Sequence, residues 1–159
     1  MQAIIRPAHQ DDAAALHRHC YPEHSLDDVR EYLAWCLSDA RKERIVRLVA
    51  EVEGQAVGNA QLTVLGQDGE IGSLVVGQGF RRHGLARQLL RELIAEATRR
   101  GLAALEIRVS TDQPEILAFY QRLGFHPLQR EVEKGGPEVP AHPLDREPII
   151  RLRMQVADL

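Results

Sequence analysis

The sequence predicts an α/β (α+β) fold, a mixed and mainly antiparallel central sheet of about seven strands flanked by about four helices. Three observations carry this. Runs rich in apolar and β-branched residues follow one another between Ile45 and Val76 with tight turn signals between them, the pattern of an antiparallel meander. A long segment of helical period comes next, and Ala104 to Val109 then returns to strand character. Strand, helix and strand together make one crossover unit, which joins a parallel pair. Ile149 to Val156 supplies a closing strand.

Each element follows from local chemistry. Ala3 to Arg6 is a short apolar start that ends at Pro7, an initial strand. Asp11 and Asp12 precede an alanine-rich stretch; carboxylates favour the positive end of a helix dipole and alanine favours helix, so a first helix runs from about Asp11 to Cys20, ended by Tyr21-Pro22. Ser25, followed three residues later by Asp28, has the form of a capping arrangement. Leu26, Val29, Leu33, Cys36 and Leu37 then recur at helical spacing.

Ile45–Val52 and Ala56–Leu65 read as a hairpin around Glu53-Gly54. Gln67-Asp68-Gly69 reads as the next turn, leading into a strand over Glu70–Val76. From Gly84 the residues Leu85, Leu89, Leu90, Leu93, Ile94 and Ala97 fall on one helical face, and Gly101 stops that helix. Pro114 begins a further helix carrying Ile116, Phe119, Tyr120 and Leu123, ended by Gly124. Phe125 to Val132 is a predicted strand. Residues 133–148, with Gly135-Gly136 and four prolines, read as a loop or extended excursion.

Composition narrows the function classes. The 159 residues suit one domain over 1–159, with a substantial core. Hydrophobic residues at 44% and charged residues at 27% are those of a soluble globular chain, not a disordered one. A formal net charge of −3 gives no reason to expect nucleic acid as the partner. No apolar run suits a signal peptide or a membrane span, so a cytoplasmic protein without a membrane partner is expected. A homodimer stays open. Cys20 and Cys36 lack zinc or redox spacing and read as packing residues. His17, His19, Cys20 and His24 include ligand types, but positions 17 and 19 point to different faces of a helix, so no metal is expected.

The stretch from Glu70 to Arg87, EIGSLVVGQGFRRHGLAR, organises the chain. A strand feeds through a glycine-rich turn into a helix, whose start presents unpaired N–H groups and a positive dipole end. Arg81, Arg82, His83 and Arg87 surround that start, so its expected guest is a phosphate-bearing cofactor. The run Arg81-Arg82-His83-Gly84-Leu85-Ala86 resembles the [R/Q]-x-x-G-x-[G/A] signature of GNAT-superfamily N-acyltransferases. Leu74, Val75 and Val76 resemble the strand that precedes it. The resemblance implies acetyl-CoA as co-substrate, its pyrophosphate on the loop amides and its pantetheine arm along the strand. Gly84 then spares the phosphates a Cβ.

QPEILAFYQRLGF resembles the second signature of the same family, in which a helix carries a tyrosine shortly before a Leu-Gly-Phe turn. Tyr120, Leu123, Gly124 and Phe125 match in order, and the likeness spans nearly the whole chain. Two positions depart from it. Gln113 stands seven residues before the tyrosine, where the family often has an asparagine that contacts the pantetheine, and Gln78 stands where a proline is common.

The resemblance implies an N-acetyltransferase acting on a primary amine of a small molecule or protein by direct attack on the thioester. The alternative is a non-catalytic acyl-CoA-binding sensor of the same fold. Tyr120 is the candidate general acid, against a plain packed aromatic on its helix stripe. Glu70, fourteen residues before Gly84, is the candidate base, against a solvated strand end, with Glu106 a second choice. The N–H of Val75 or Val76 is the candidate oxyanion donor, on a bulged strand. Tyr21, Glu23 and His24 in the connector between the first helices are candidate acceptor contacts. The residues leave the acceptor open among a protein N-terminus, lysine, polyamine, amino acid and aminoglycoside.

Overall fold

The structure is a computed structural model that describes residues 1–110, 114–128 and 149–158. It contains a seven-stranded sheet in the order β1-β2-β3-β4-β5-β7-β6. The strands are β1 Ile4–Pro7, β2 Ile45–Val52, β3 Gln55–Leu65, β4 Asp68–Val76, β5 Ala104–Ser110, β6 His126–Pro127 and β7 Ile149–Gln155. The α-helices among the described residues are α1 Ala13–His19, α2 Leu26–Leu37, α3 Leu85–Arg99 and α4 Pro114–Arg122. β1 to β4 pair antiparallel in succession, β4 and β5 are parallel, and β5, β7 and β6 are antiparallel. The mixed sheet and its crossover through α3 are those expected from the sequence.

Period decides which face each residue takes. In β2, Leu48 and Ala50 join the cluster that also holds Leu85, Leu89, Leu90 and Leu93 of α3, whereas the intervening Val49 packs with Leu16 of α1 and Val29 and Leu33 of α2. Helices therefore cover both faces: α3 on one, and α1 with α2 on the other. Leu89, Leu90 and Leu93 are fully enclosed, which is worth about 1.5–3 kcal/mol of transfer free energy for each. Among the described residues, no helix is long and apolar enough to cross a membrane.

The hairpin at Glu53-Gly54 has both residues at positive φ, 51° and 79°, the backbone that matches the twist of the flanking strands. The next turn differs from expectation. It lies at residues 66–67, with Gly66 at φ 63°, and Asp68 and Gly69 already belong to β4. Gly69 is there for packing: a Cβ on it would come within 2.6 Å of Leu62 Cδ1 and 3.0 Å of Leu105 Cδ2. Small size under a crowded core has the same sequence signature as a turn. The Ser25 arrangement is half of a capping box: the Asp28 N–H donates to Ser25 Oγ at 3.0 Å, and no return bond from the Asp28 side chain is found among the described residues. Of the strand predicted over Phe125–Val132, His126–Pro127 is observed against β7; positions 129–132 and the loop 133–148 lie outside the described residues.

A short 3-10 turn over Gln10–Asp12 leads into α1 and is held from β1. Arg6 donates to both Asp12 oxygens, at 2.9 and 2.7 Å, and the His9 N–H donates to Oδ2 at 2.7 Å. Burial by itself raises the Asp12 carboxyl, but the bonds from Arg6 and His9 outweigh it and hold the pKa below the usual value. A depressed carboxyl contributes stability that is present above its unfolded pKa, about 3.9, and is lost as the pH falls through the lower folded value. Asp12→Asn is thus expected to cost about 2 kcal/mol at neutral pH. Urea unfolding should show that gap closing below about pH 4; a gap that persists in acid would exclude the ionic cause.

Candidate active site

The site begins where two strands part. β4 and β5 run parallel through Asp68–Ala104 to Ile71–Ile107 and no further, while β5 stays paired with β7 as far as Ser110–Ile149. Residues 72–76 of β4 therefore have an edge that β5 has left. A bulge lies at the same place: between the Gln61–Gly72 and Asn59–Val75 pairs, Ser73 and Leu74 stand opposite Ala60 alone. Ser73 takes φ 53°, a left-handed conformation uncommon for a residue with a Cβ.

Beyond the bulge, the Gly77 N–H donates to Val57 O at 2.8 Å. Because backbone groups alternate sides along a strand, the Val76 N–H turns the other way, towards the opening. The Val76 carbonyl accepts from Arg81 Nε at 3.0 Å. Arg81 thereby ties the turn to the end of β4.

The turn itself combines Arg82 at φ 68° with Gly84 at φ 77°. Alternation of right- and left-handed residues points successive N–H groups into one hollow, a form that receives anions. Gly84 is the N-cap of α3 and offers no side-chain cap, and the first helical bond is from Gln88 N–H to Gly84 O at 3.0 Å. The N–H groups of Leu85, Ala86 and Arg87 are consequently left for another acceptor. A Cβ on Gly84 would meet no atom within 4 Å, and residues 81–84 are exposed. The expectation that Gly84 spares a ligand a Cβ gains a second part, for the backbone itself needs glycine here.

On the sheet face away from α3, register aligns Thr63, Glu70, Glu106 and Arg153 in one row. Arg153 Nη1 donates to Glu106 Oε1 at 2.7 Å and to Asp68 Oδ2 at 3.1 Å. Glu106 is thus held in an ion pair. Glu70 is half-buried, makes no side-chain hydrogen bond or ion pair among the described residues, and stands two residues before the strands part.

Tyr120 is 5% exposed and belongs to the core cluster that contains Val76 and Leu85. Its ring meets Phe119 and Phe125 edge-on, with centroids at 5.3 and 5.8 Å. Burial pushes its phenol pKa up to about 12. No hydrogen bond links Tyr120 to Glu70 among the described residues. Gln113 lies outside the described residues.

The face bearing Glu70 continues into a cleft of about 450 Å³ lined by Leu16, Tyr21, His24, Asp28, Val29, Tyr32, Leu33, Arg47 and Ser73. Ser73 joins this cleft to the parted strands. Of the connector residues singled out in the sequence, His24 and Tyr21 line the cleft and Glu23 does not. His17 Nε2 is 2.8 Å from His24 O and His19 Nε2 is 3.0 Å from Gln55 Oε1, so these imidazoles are engaged in the connector and the hairpin. Cys20 is buried, and burial raises its thiol pKa to about 11, which suits packing and not reactivity. The sequence did not single out Arg47, which lines the cleft, or Asn59 and Gln61, which accept its hydrogen bonds. Arg47, Asn59 and Gln61 occupy alternate positions in otherwise apolar strands, a pattern that also describes a solvent face.

The model of the acetyltransferase (GNAT) family matches residues 10–125. The chain belongs to this family. Solved structures agree on the fold. A ribosomal-protein-alanine N-acetyltransferase from Brucella melitensis is 22% identical with a TM-score of 0.73, over 96% of this chain and 99% of that one. A spermidine N-acetyltransferase chimera from Vibrio cholerae and hSSAT is 17% identical with a TM-score of 0.76, over 99% and 98%. The PaiA N-acetyltransferase from Thermoplasma acidophilum, in complex with coenzyme A, is 14% identical with a TM-score of 0.70, over 98% and 99%.

Proposed function

We propose that the chain is an acetyl-CoA-dependent N-acetyltransferase acting on a primary amine by direct attack on the thioester. The observation that carries this reading is the uncapped start of α3 beneath open space, beside the parted edge of β4. Acetyl-CoA fits that place chemically: a diphosphate for spare N–H groups and an extended amide arm for the strand edge that β5 leaves. It supplies the activated acetyl group.

In this reading the N–H groups of residues 82–87 receive the diphosphate, with Arg82, His83 and Arg87 adding charge around it. Leu74, Val75 and Val76 present the strand edge to the pantetheine amides. The Val76 N–H faces the negative charge that grows on the thioester oxygen. Glu70, which has no competing partner among the described residues, takes a proton from the acceptor ammonium, whose pKa of about 10.4 leaves little free amine at neutral pH. As the C–N bond forms and the C–S bond breaks, Tyr120 gives the departing sulfur its proton, and the second proton shed by the new amide nitrogen restores the phenol.

The test is a broad amine screen with acetyl-CoA, read as free thiol. Release that depends on the amine is expected; binding of coenzyme A with no transfer to any amine would favour an acyl-CoA sensor. For Glu70→Gln, kcat is expected to fall roughly ten- to a hundredfold at neutral pH and to recover as the pH rises towards the acceptor's own pKa of about 10.4, where solvent supplies the free amine. A profile that superimposes on the parent's would dismiss Glu70 as the base.

A further inference from the structure

The floor of the α1–α2 cleft carries a cation without a counter-ion. Arg47, the third residue of β2, is 4% exposed and lines the cleft. Its Nη1 donates to Gln61 Oε1 at 2.6 Å, and its Nη2 donates to Asn59 Oδ1 at 2.5 Å and to Tyr21 Oη at 3.2 Å. All three acceptors are neutral. The contrast with other arginines is plain: Arg6 and Arg153 each meet two carboxylates, and Arg99 and Arg100 share Glu96. Among the described residues Arg47 makes no ion pair, even with Asp28 of the same cleft.

Donors also outnumber acceptors in this cluster. Arg47 Nε and Asn59 Nδ2 are buried without a hydrogen-bond partner. Turning the Asn59 amide over does not help, because its oxygen already accepts from Arg47 and from the Tyr21 hydroxyl at 3.0 Å. Buried charge and buried donors are costly unless an anion meets them. Among the described residues the chain supplies no anion here, only the Tyr32 ring with its centroid 5.3 Å from the guanidinium carbon, and the space beside Arg47 is a cleft that reaches Ser73 and the parted strands.

We propose that the acceptor amine carries a carboxylate, received by Arg47 and Tyr21 at the cleft wall while Asn59 and Gln61 hold the guanidinium in place, so that this enzyme acetylates a small amino acid-like molecule. The proposal rests on the reading of this cleft as the acceptor site of an acetyltransferase. A cleft of about 450 Å³ suits a small molecule. Leu16, Val29 and Leu33 offer an apolar wall for its side chain, and the aromatic ring of Tyr32 completes it. A carboxylate brings one charge to one guanidinium, whereas a phosphate dianion brings two.

The test uses α- and ω-amino acids, each paired with its own carboxamide, as acceptors with acetyl-CoA and free thiol as readout. Loss of the carboxylate lowers the amine pKa, so intrinsic reactivity favours the amide and cannot imitate the expected result. At least one acid is expected to exceed its amide tenfold or more in kcat/KM, and Arg47→Met to erase that preference through KM. Should the Met variant not fold, the Tm of the parent with the N-acetylated acid or the N-acetylated amide gives the same discrimination; only the acid should raise Tm. Amides used as well as acids in every pair, or turnover confined to polyamines or other amines lacking a carboxylate, would overturn the proposal and leave the acetyltransferase reading standing. Failure of every amine would overturn both.

Discussion

A Tyr120→Phe variant is expected to bind coenzyme A as the parent does and to turn over roughly a hundredfold more slowly with its amine. The reasoning starts from burial. The phenol is enclosed by Phe119 and Phe125, and its pKa of about 12 keeps it protonated throughout the neutral range. In the proposed mechanism it is therefore a proton donor that stays protonated across that range. A thiolate at about 8.5 in water becomes more basic when it too is enclosed, which narrows the gap that proton transfer must cross. Removal of the hydroxyl breaks no hydrogen bond among the described residues, so stability should change by less than about 1 kcal/mol. Unchanged kcat would leave Tyr120 as a packing aromatic.

Gly84→Val should act on the other half of the site. The residue sits at φ 77° with nothing within 4 Å of a built Cβ. The protein therefore loses only the left-handed backbone preference, about 1–2 kcal/mol of stability. The ligand loses more, because the new side chain stands over the spare N–H groups and pulls the turn out of its anion-receiving form. A rise of tenfold or more in the KM for acetyl-CoA is expected, with Gly84→Ala in between. Equal KM values for all three proteins would show that the diphosphate is held elsewhere.

How far the residues announced this arrangement depends on whether their signal was local. β2 was legible at both ends because its apolar run and the Glu53-Gly54 turn are contiguous in sequence. The face of α3 was legible because its leucines repeat at helical period. Arg81, Arg82 and Gly84 declared the turn by spacing alone. Gly69 misled, since what excludes a side chain there is Leu62 and Leu105, far away along the chain. Arg47 was invisible for a related reason: only the packing of α1 and α2 over β2 and β3 turns an outward-looking arginine into a buried one. Glu70 was legible as a candidate, but that it makes no ion pair among the described residues, against Glu106 bound to Arg153, could be seen only in the register of three strands.

Calorimetric titration with coenzyme A and with pantetheine, which lacks the diphosphate, addresses the central claim most directly. If the start of α3 grips a diphosphate, coenzyme A binds and pantetheine binds at least a hundredfold more weakly. Equal affinities for the two, or no heat with coenzyme A at all, would contradict it.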